Sequence, residues 1–525
     1  MRVGAPRLAC ALALLLPGAR LVAQQPADPV IDTVIVVSHN VFDPPDGTPR
    51  VVARLGNALH ITTRPGVIRR LMLMGPGTPV DSARLIETER YLRELGVFRF
   101  VLLDTVRVDD RLALRVETGD GWSTSPQLNF ASAAGSITWS AAMVERNFLG
   151  AATFVSLAYG HNPDRHSLDA QFASPGLVLH HAPLLAAYSS LSDGRLGAWR
   201  YGRPFYRSDA RWSLVTEGEA ASHRVLEFQD GVLSDSARRR TLALSLTGGV
   251  ALYGTERGYV RLWASAGWRR EDFAPESSTT SPYSGFGTLG VGVDAGRVRY
   301  AVIEHLNGFG RREDVDLSST LRLGRWAAPR AGGYPAGRAG VGPEVQGQVG
   351  ARWRGGLALL RGEVHGVVGS AGLDSGLARG TLDVASLALR GHAMLLHLEG
   401  RALRRPKFGE VFDPWSTQNG PRGFGAHAFT GTRLVYAMLE DRVVVADELW
   451  GLVGLGVAPY VEYGGAWYAE REAARLGGDA GLALRLGSPR SSRGDVAELD
   501  VSWRWGDGFT GSPWALTFRK SFTLK

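Results

Sequence analysis

Gly481-Leu482-Ala483-Leu484-Arg485-Leu486 and Val501-Ser502-Trp503-Arg504-Trp505 alternate large apolar side chains with small or polar ones at a period of two. That period puts Leu482, Leu484 and Leu486 on one face of a strand and Ala483 and Arg485 on the other. Segments of roughly ten residues with this texture, divided by Gly, Asp, Asn and Pro turns, run from Trp122 to the end of the 525-residue sequence. Two architectures use such strands: soluble sandwiches with one wet face, and membrane barrels with lipid outside and a polar lumen. A transmembrane strand needs only about 9 to 11 residues. The texture contains neither a helical interlude nor a linker, and lipid demands that every backbone group be paired, so a closed barrel is the better expectation. Counting segments gives sixteen to twenty strands, because Glu344 to Gly369 and Thr381 to Arg404 each read as one long strand or as a hairpin.

Composition supports this by exclusion. Apolar residues make up 44% of the chain, yet after the first two dozen positions no uninterrupted apolar run reaches 18 residues, which rules out a helical membrane bundle. The 67 glycines follow no collagen period, and 21% charged residues do not fit a disordered chain. Of 59 basic residues only Lys407, Lys520 and Lys525 are lysines, and the arginines are dispersed singly, so no nucleic-acid partner is expected. Arg2, Arg7, the apolar stretch from Leu8 to Leu16 and Leu21-Val22-Ala23 read as a secretory signal peptide over residues 1–23. Cys10 is the only cysteine, so cleavage would leave no disulfide or thiolate metal site.

Residues 24–120 have a different, mixed texture. Val30 to Val37 reads as a strand, and a helix is expected between Asn57 and Met74, interrupted at Pro65-Gly66. Asp81 opens a helix that Gly96 closes, with Leu85, Leu92 and Leu95 at helical spacing. Phe98 to Val108, the Asp109-Asp110 turn, and Leu112, Leu114 and Val116 form a hairpin packed on one side. The expected order is strand, helix, helix, strand, strand.

Several motifs fall in a recognisable order along the chain. Asn419-Gly420-Pro421-Arg422-Gly423-Phe424-Gly425, followed by Phe429-Thr430-Gly431-Thr432-Arg433, resembles the loop motif of the BamA/TamA superfamily of outer-membrane assembly and translocation barrels, the bacterial surface antigen type. Tyr460-Val461-Glu462-Tyr463-Gly464-Gly465-Ala466-Trp467 resembles its strand motif, with Glu462 where the family usually has Asp. Glu145-Arg146-Asn147-Phe148-Leu149-Gly150 resembles the turn after its second strand, and residues 24–120 resemble its periplasmic POTRA module. The resemblance implies a mainly β protein: one small α+β POTRA domain, then a 16-stranded antiparallel transmembrane barrel over residues 121–525.

The chemistry of the two motifs is intelligible without the family. Alternation sets Tyr460, Glu462 and Gly464 on one face and Val461, Tyr463 and Trp467 on the other, and the second set suits lipid. A carboxylate in the lumen needs a partner, and the Arg422 guanidinium on an inward-folded loop can meet Glu462 bidentately. Gly464 would leave room for the loop, Gly423 would allow the tight turn that aims Arg422, and Phe424 completes the motif. The competing reading makes Arg422 and Glu462 unrelated, solvated residues.

Trp514, Leu516, Phe518, Phe522 and Leu524 share one parity and read as the lipid face of the last strand, with Lys520 as the exception. Gln127, Leu128, Asn129, Phe130 and Ala131 would face that strand across the seam, where an exposed edge could accept an incoming strand. Gly285-Phe286-Gly287-Thr288-Leu289-Gly290 matches a dinucleotide-binding glycine pattern but runs on into strand rather than helix, so no such site is expected. His161, His166, His180 and His181 lack metal-site spacing, and no nucleophile elbow occurs. No enzyme and no cofactor is expected. The resemblance implies a factor that inserts or translocates proteins at the outer membrane, its module in the periplasm. Its partners would be lipid, unfolded outer-membrane or secreted proteins and other periplasmic assembly factors. The alternatives are a dedicated exporter of one partner and a passive pore.

Overall fold

The computed structural model describes residues 29–43, 47–133, 136–229, 231–274, 285–370, 372–415, 420–468 and 473–524. The signal-peptide segment, residues 1–23, and Asn419 of the loop motif lie outside the described residues. The N-terminal region contains β1 (Thr33–His39), α1 (Arg50–Leu59), α2 (Pro65–Leu71), α3 (Ser82–Glu94), β2 (Phe98–Val108) and β3 (Arg111–Asp120). Its sheet has the order β1-β3-β2, with β1 parallel to β3. Asp109 and Asp110 both take positive φ, 49° and 60°, which suits the tight β2–β3 turn. The Asp81 side chain accepts from Ala83 N at 2.9 Å and caps α3. Ile31, Ile68, Leu92, Phe98, Leu114 and Val116 form the core. Where one interrupted helix was expected there are two, because Pro65 starts α2: its ring presets φ, and its missing N–H would have had no partner there.

β4 (Thr124–Ala133), β5 (Ser136–Glu145), β6 (Phe154–His161), β7 (His166–Ser174), β8 (Leu184–Leu191) and β9 (Gly194–Arg203) are short. β10 (Trp212–Gln229), β11 (Val232–Thr255) and β12 (Gly258–Ala274) are long. β13 (Gly285–Arg297) leads into a separate two-stranded hairpin, β14 (Tyr300–Glu304) and β15 (Arg312–Asp316). The wall resumes with β16 (Ser319–Ala328), β17 (Gly340–Trp353), β18 (Gly356–Gly369), β19 (Gly372–Ser386) and β20 (His392–Arg404). It ends with β21 (Arg433–Leu449), β22 (Val453–Trp467), β23 (Gly477–Gly487), β24 (Val496–Gly506) and β25 (Trp514–Lys520), and β25 pairs back onto β4.

Twenty antiparallel strands therefore close the barrel, and the expectation of sixteen is wrong. Both ambiguous segments are hairpins, turned by Gly355 (φ 80°) and Gly391 (φ 79°), so the upper limit of the segment count was the correct one. The glycine-rich stretch from Gly285 lies within β13. Leu482, Val501 and Trp503 are 54%, 47% and 47% exposed on the outer face, while Ala483, Arg485, Ser502 and Arg504 are buried inside.

So wide a barrel leaves a lumen that side chains alone do not fill. From the end that carries the module, α3 seats Arg84 on Asp209 (2.7 Å) and Arg93 on Asp314 (2.7 Å). The β14–β15 tip reaches further in: Phe309 packs so closely that a Cβ on Gly454 would lie 2.3 Å from its ring. After Lys520 the chain turns inward. Asn307 brackets Leu524 with two hydrogen bonds of 2.9 Å, and Arg442 donates to the Phe522 carbonyl at 2.7 Å. Phe522 and Leu524 thus pack inside the barrel, not on the lipid face where their parity put them.

The junction of module and barrel carries a buried charge. Asp120, fully buried at the end of β3, accepts from Thr63 N (2.7 Å) and Thr63 Oγ1 (3.0 Å), and Asn147 of the β5–β6 turn lies 3.3 Å away. Burial pushes its carboxyl up to about 6, against the two Thr63 donors. Because the folded value is raised above 3.8, this stabilising contribution is complete below about pH 4 and is lost as pH rises through about 6. Asp120→Asn is therefore expected to raise the stability at pH 8, by no more than about 3 kcal/mol, and to flatten its change between pH 4 and 6. Melts followed by tryptophan fluorescence check this; an equal effect of the substitution at pH 4 and pH 8 would remove charge as the cause.

Candidate functional site: an anchored loop and a short seam

Between β20 and β21 the described residues 405–415 and 420–432 fold into the lumen, where Arg422 is completely buried. Its Nε donates to Glu462 Oε1 at 2.8 Å and its backbone N–H to Glu462 Oε2 at 2.7 Å, so one carboxylate holds both the side chain and the main chain of the loop. Nη1 donates to Asp500 Oδ1 at 3.0 Å, Nη2 to Glu440, and the guanidinium carbon lies 3.9 Å from the centre of the Tyr460 ring. Gly423 N–H donates to Asp479 Oδ2 at 2.7 Å, and its carbonyl accepts from Arg504 at 3.1 Å.

These contacts belong to a larger lattice. Glu440, Glu462, Glu498 and Asp500 pair with Arg422, Arg442, Arg485 and Arg519, while Asp479 and Arg504 hold the Gly423 backbone between them, and all five strands from β21 to β25 contribute. Glu498, for example, accepts from Arg485 at 3.1 Å and from Arg519 at 3.0 Å. Charges removed from water cost several kcal/mol each unless they are paired and hydrogen-bonded, and here four acids are paired with four guanidinium groups.

The sequence reading named only Glu462 as the partner of Arg422. Glu440, Glu498, Asp500 and Asp479 were missed, although a signal was available: Glu498 and Asp500 alternate with outward Leu499 and Val501, which fixes them as lumenal. The glycines act differently from the expectation. A Cβ on Gly464 would lie 2.5 Å from the Val435 carbonyl, so Gly464 admits the neighbouring strand, not the loop. Room for the loop comes from Gly477, where a Cβ would lie 2.7 Å from Phe424 and 2.8 Å from Phe429. Gly423 is required by crowding, with Arg504 Cγ 2.7 Å from a Cβ, and its φ is not among the positive ones. Phe424 is fully buried against Phe429 and Phe509.

The seam is the weakest ladder of the wall. Among the described residues β25 and β4 share three residue pairs, Leu516 with Ser132, Thr517 with Ala131 and Phe518 with Phe130. The other ladders hold from seven pairs, as between β24 and β25, to eighteen, between β10 and β11. Gln127, Leu128 and Asn129 lie on β4 below the paired part, and Trp514 extends past it on β25 with 58% of its surface exposed. On the opposite side of the lumen a cavity of about 1000 Å³ is lined by Gln171, Arg200, Glu217, Glu219 and Arg269, with Glu94 to Gly96 of the module also bordering it.

These features define a class: a large closed antiparallel β-barrel with a small N-terminal α+β region, an arginine-anchored loop inside and one short seam. The chain is similar to BamA from Haemophilus ducreyi lacking POTRA domains 1-3, at 13% identity and TM-score 0.39, over 93% of this chain and 84% of that one. It is similar to CdiB from Escherichia coli at 11% identity and TM-score 0.48, over 97% and 92% of the two chains. For CdiB from Acinetobacter baumannii the identity is 9% and the TM-score 0.44, over 94% and 74%. No family model and no curated protein matches the chain.

Proposed function

We propose that the protein sits in the outer membrane with its module in the periplasm and helps unfolded proteins to insert into that membrane or to cross it. The observation that carries this reading is the three-pair ladder between β4 and β25, beside strands locked together by the Arg422 lattice. A wall that parts at one seam and is cross-braced next to it exposes strand edges to an incoming chain without losing its shape. β1 and β2, the two edges of the module sheet, offer a first contact for an extended client. No covalent chemistry is required, and other periplasmic factors could deliver clients to the module.

A passive pore is disfavoured, because the loop, the β14–β15 tip, the C-terminal tail and the module all stand in the path of solute. Depletion of the protein from its cell tests the reading. A general fall in folded outer-membrane barrels is expected, read by quantitative proteomics of the membrane fraction. Loss of a single secreted product instead would identify a dedicated exporter. No change in either, with steady solute conductance in planar bilayers, would leave the passive pore.

A further inference from the structure

α1 is built inside out. Ala53 and Gly56 face the rest of the module, and a Cβ on Gly56 would lie 2.4 Å from the Phe42 ring, so only small residues fit on the inner side. Val51, Leu55 and Leu59 fall on one outer stripe at 100° per residue and are 70%, 59% and 76% exposed. A helix facing water carries the opposite pattern. Ile61, just past the helix, is also exposed.

The surroundings indicate what covers this stripe. α1 is slung between two turns of the barrel rim: Thr48 Oγ1 lies 3.5 Å from the Gly451 carbonyl, and Asn147 Nδ2 donates to the Ile61 carbonyl at 3.1 Å. Those turns expose Trp450 on one side and Phe148 and Leu149 on the other. The outer apolar surface of the wall begins immediately beside them, at Val453 on β22 and Met143 on β5. Between the two turns run β22 to β25, then β4 and β5, so the seam lies between the two points at which Thr48 and Ile61 tie this segment to the rim. From Arg50 to Arg70 the chain carries Arg50, Arg54, Arg64, Arg69 and Arg70 and no Asp or Glu.

We infer that α1 and its two flanking rim turns bind a phospholipid headgroup surface beside the seam, with Val51, Leu55 and Leu59 in the acyl boundary and the arginines on net anionic headgroups. An amphipathic stripe bordered by aromatics and cations, continuous with a lipid-facing wall, suits the membrane interface. This rests on the reading of the barrel as membrane-spanning, and the experiment separates the two.

In a Cys10→Ser background, single cysteines at Leu55, Leu59, Arg107 and Leu484 would carry an environment-sensitive fluorophore, with the full chain reconstituted in vesicles of phosphatidylethanolamine and phosphatidylglycerol. Nitroxide-bearing lipids are expected to quench the Leu55→Cys and Leu59→Cys probes about threefold or more over the Arg107→Cys probe on exposed β2. The Leu484→Cys probe on the outer wall should be quenched as well. If Leu484→Cys is quenched and Leu55→Cys is not, α1 faces water and the inference falls while the barrel reading stands. Absence of quenching at Leu484→Cys would overturn the barrel reading itself. Protection of Leu55→Cys that occurs only after an unfolded barrel protein is added would make the stripe a protein-binding surface and overturn the lipid assignment. Arg50→Gln, Arg54→Gln and Arg64→Gln together should weaken the quenching in these vesicles but not in pure phosphatidylcholine; equal behaviour in both would overturn the role of the arginines.

Discussion

Arg422→Ala is expected to free the loop segment 420–432 from the lumen and to lower the stability of the folded barrel by about 3–5 kcal/mol. The size follows from what the substitution leaves behind. Glu440, Glu462 and Asp500 would all remain buried after losing the guanidinium they share, and the backbone donors of the loop would lose their alignment. Heat-modifiable migration on gels and the accessibility of a label in the loop read the two effects separately. Exchanging charge is a sharper test. Arg422→Glu adds a sixth carboxylate to the five already there, so it should be worse than alanine. Adding Glu462→Arg to it should recover only part of the loss, because Glu440 and Asp500 still face position 422. Full recovery by the double exchange would mean that Glu462 alone anchors the loop. No recovery would mean that their direct contact is not what anchors it.

Locking the seam is expected to abolish function while sparing the fold. Ala131 and Thr517 are opposite each other in the short ladder, at the separation that a disulfide spans. With Cys10→Ser as background, Ala131→Cys with Thr517→Cys should form that bond on oxidation. Client insertion into vesicles should then fall roughly tenfold or more and return on reduction, if an edge must open to template the incoming strand. Each single cysteine serves as a control, since Thr517→Cys also removes the hydrogen bond from Thr517 to Asp500. A second bond between Ser502→Cys and Ala515→Cys, in the β24–β25 ladder, should have little effect. Undiminished insertion through a locked seam would refute the seam mechanism and leave the lumen as the route.

What the sequence disclosed follows a physical divide. Period-two alternation in β23 and β24 is dictated locally by lipid on one side and a polar lumen on the other, and it could be read residue by residue. The Asp109-Asp110 turn was legible for the same reason. Strand number was less so: two segments depended on whether Gly355 and Gly391 turned, and the resemblance pulled the expectation to sixteen where the chain closes twenty. Phe522 and Leu524 keep the parity of β25 but leave its sheet, drawn in by Asn307 and Arg442, which are distant in sequence. Of the Arg422 partners only Glu462 was named, because it alone sits in a motif; Glu440 and Asp500 are ordinary inward residues until the loop arrives.

The inward tail also ties the wall to what it encloses. Leu524 lies among Ala301, Leu306 and Val315, residues of the β14–β15 hairpin and its tip. The β4–β25 junction is made by the strand that ends only one residue before this tail begins. The wall is therefore not a cylinder independent of its contents: the strand that completes the ring continues directly into the contacts that hold the hairpin. A chain truncated before Phe522 would keep the strands of its circumference and lose the hydrogen bonds with Asn307 and Arg442 that tie it to its own interior.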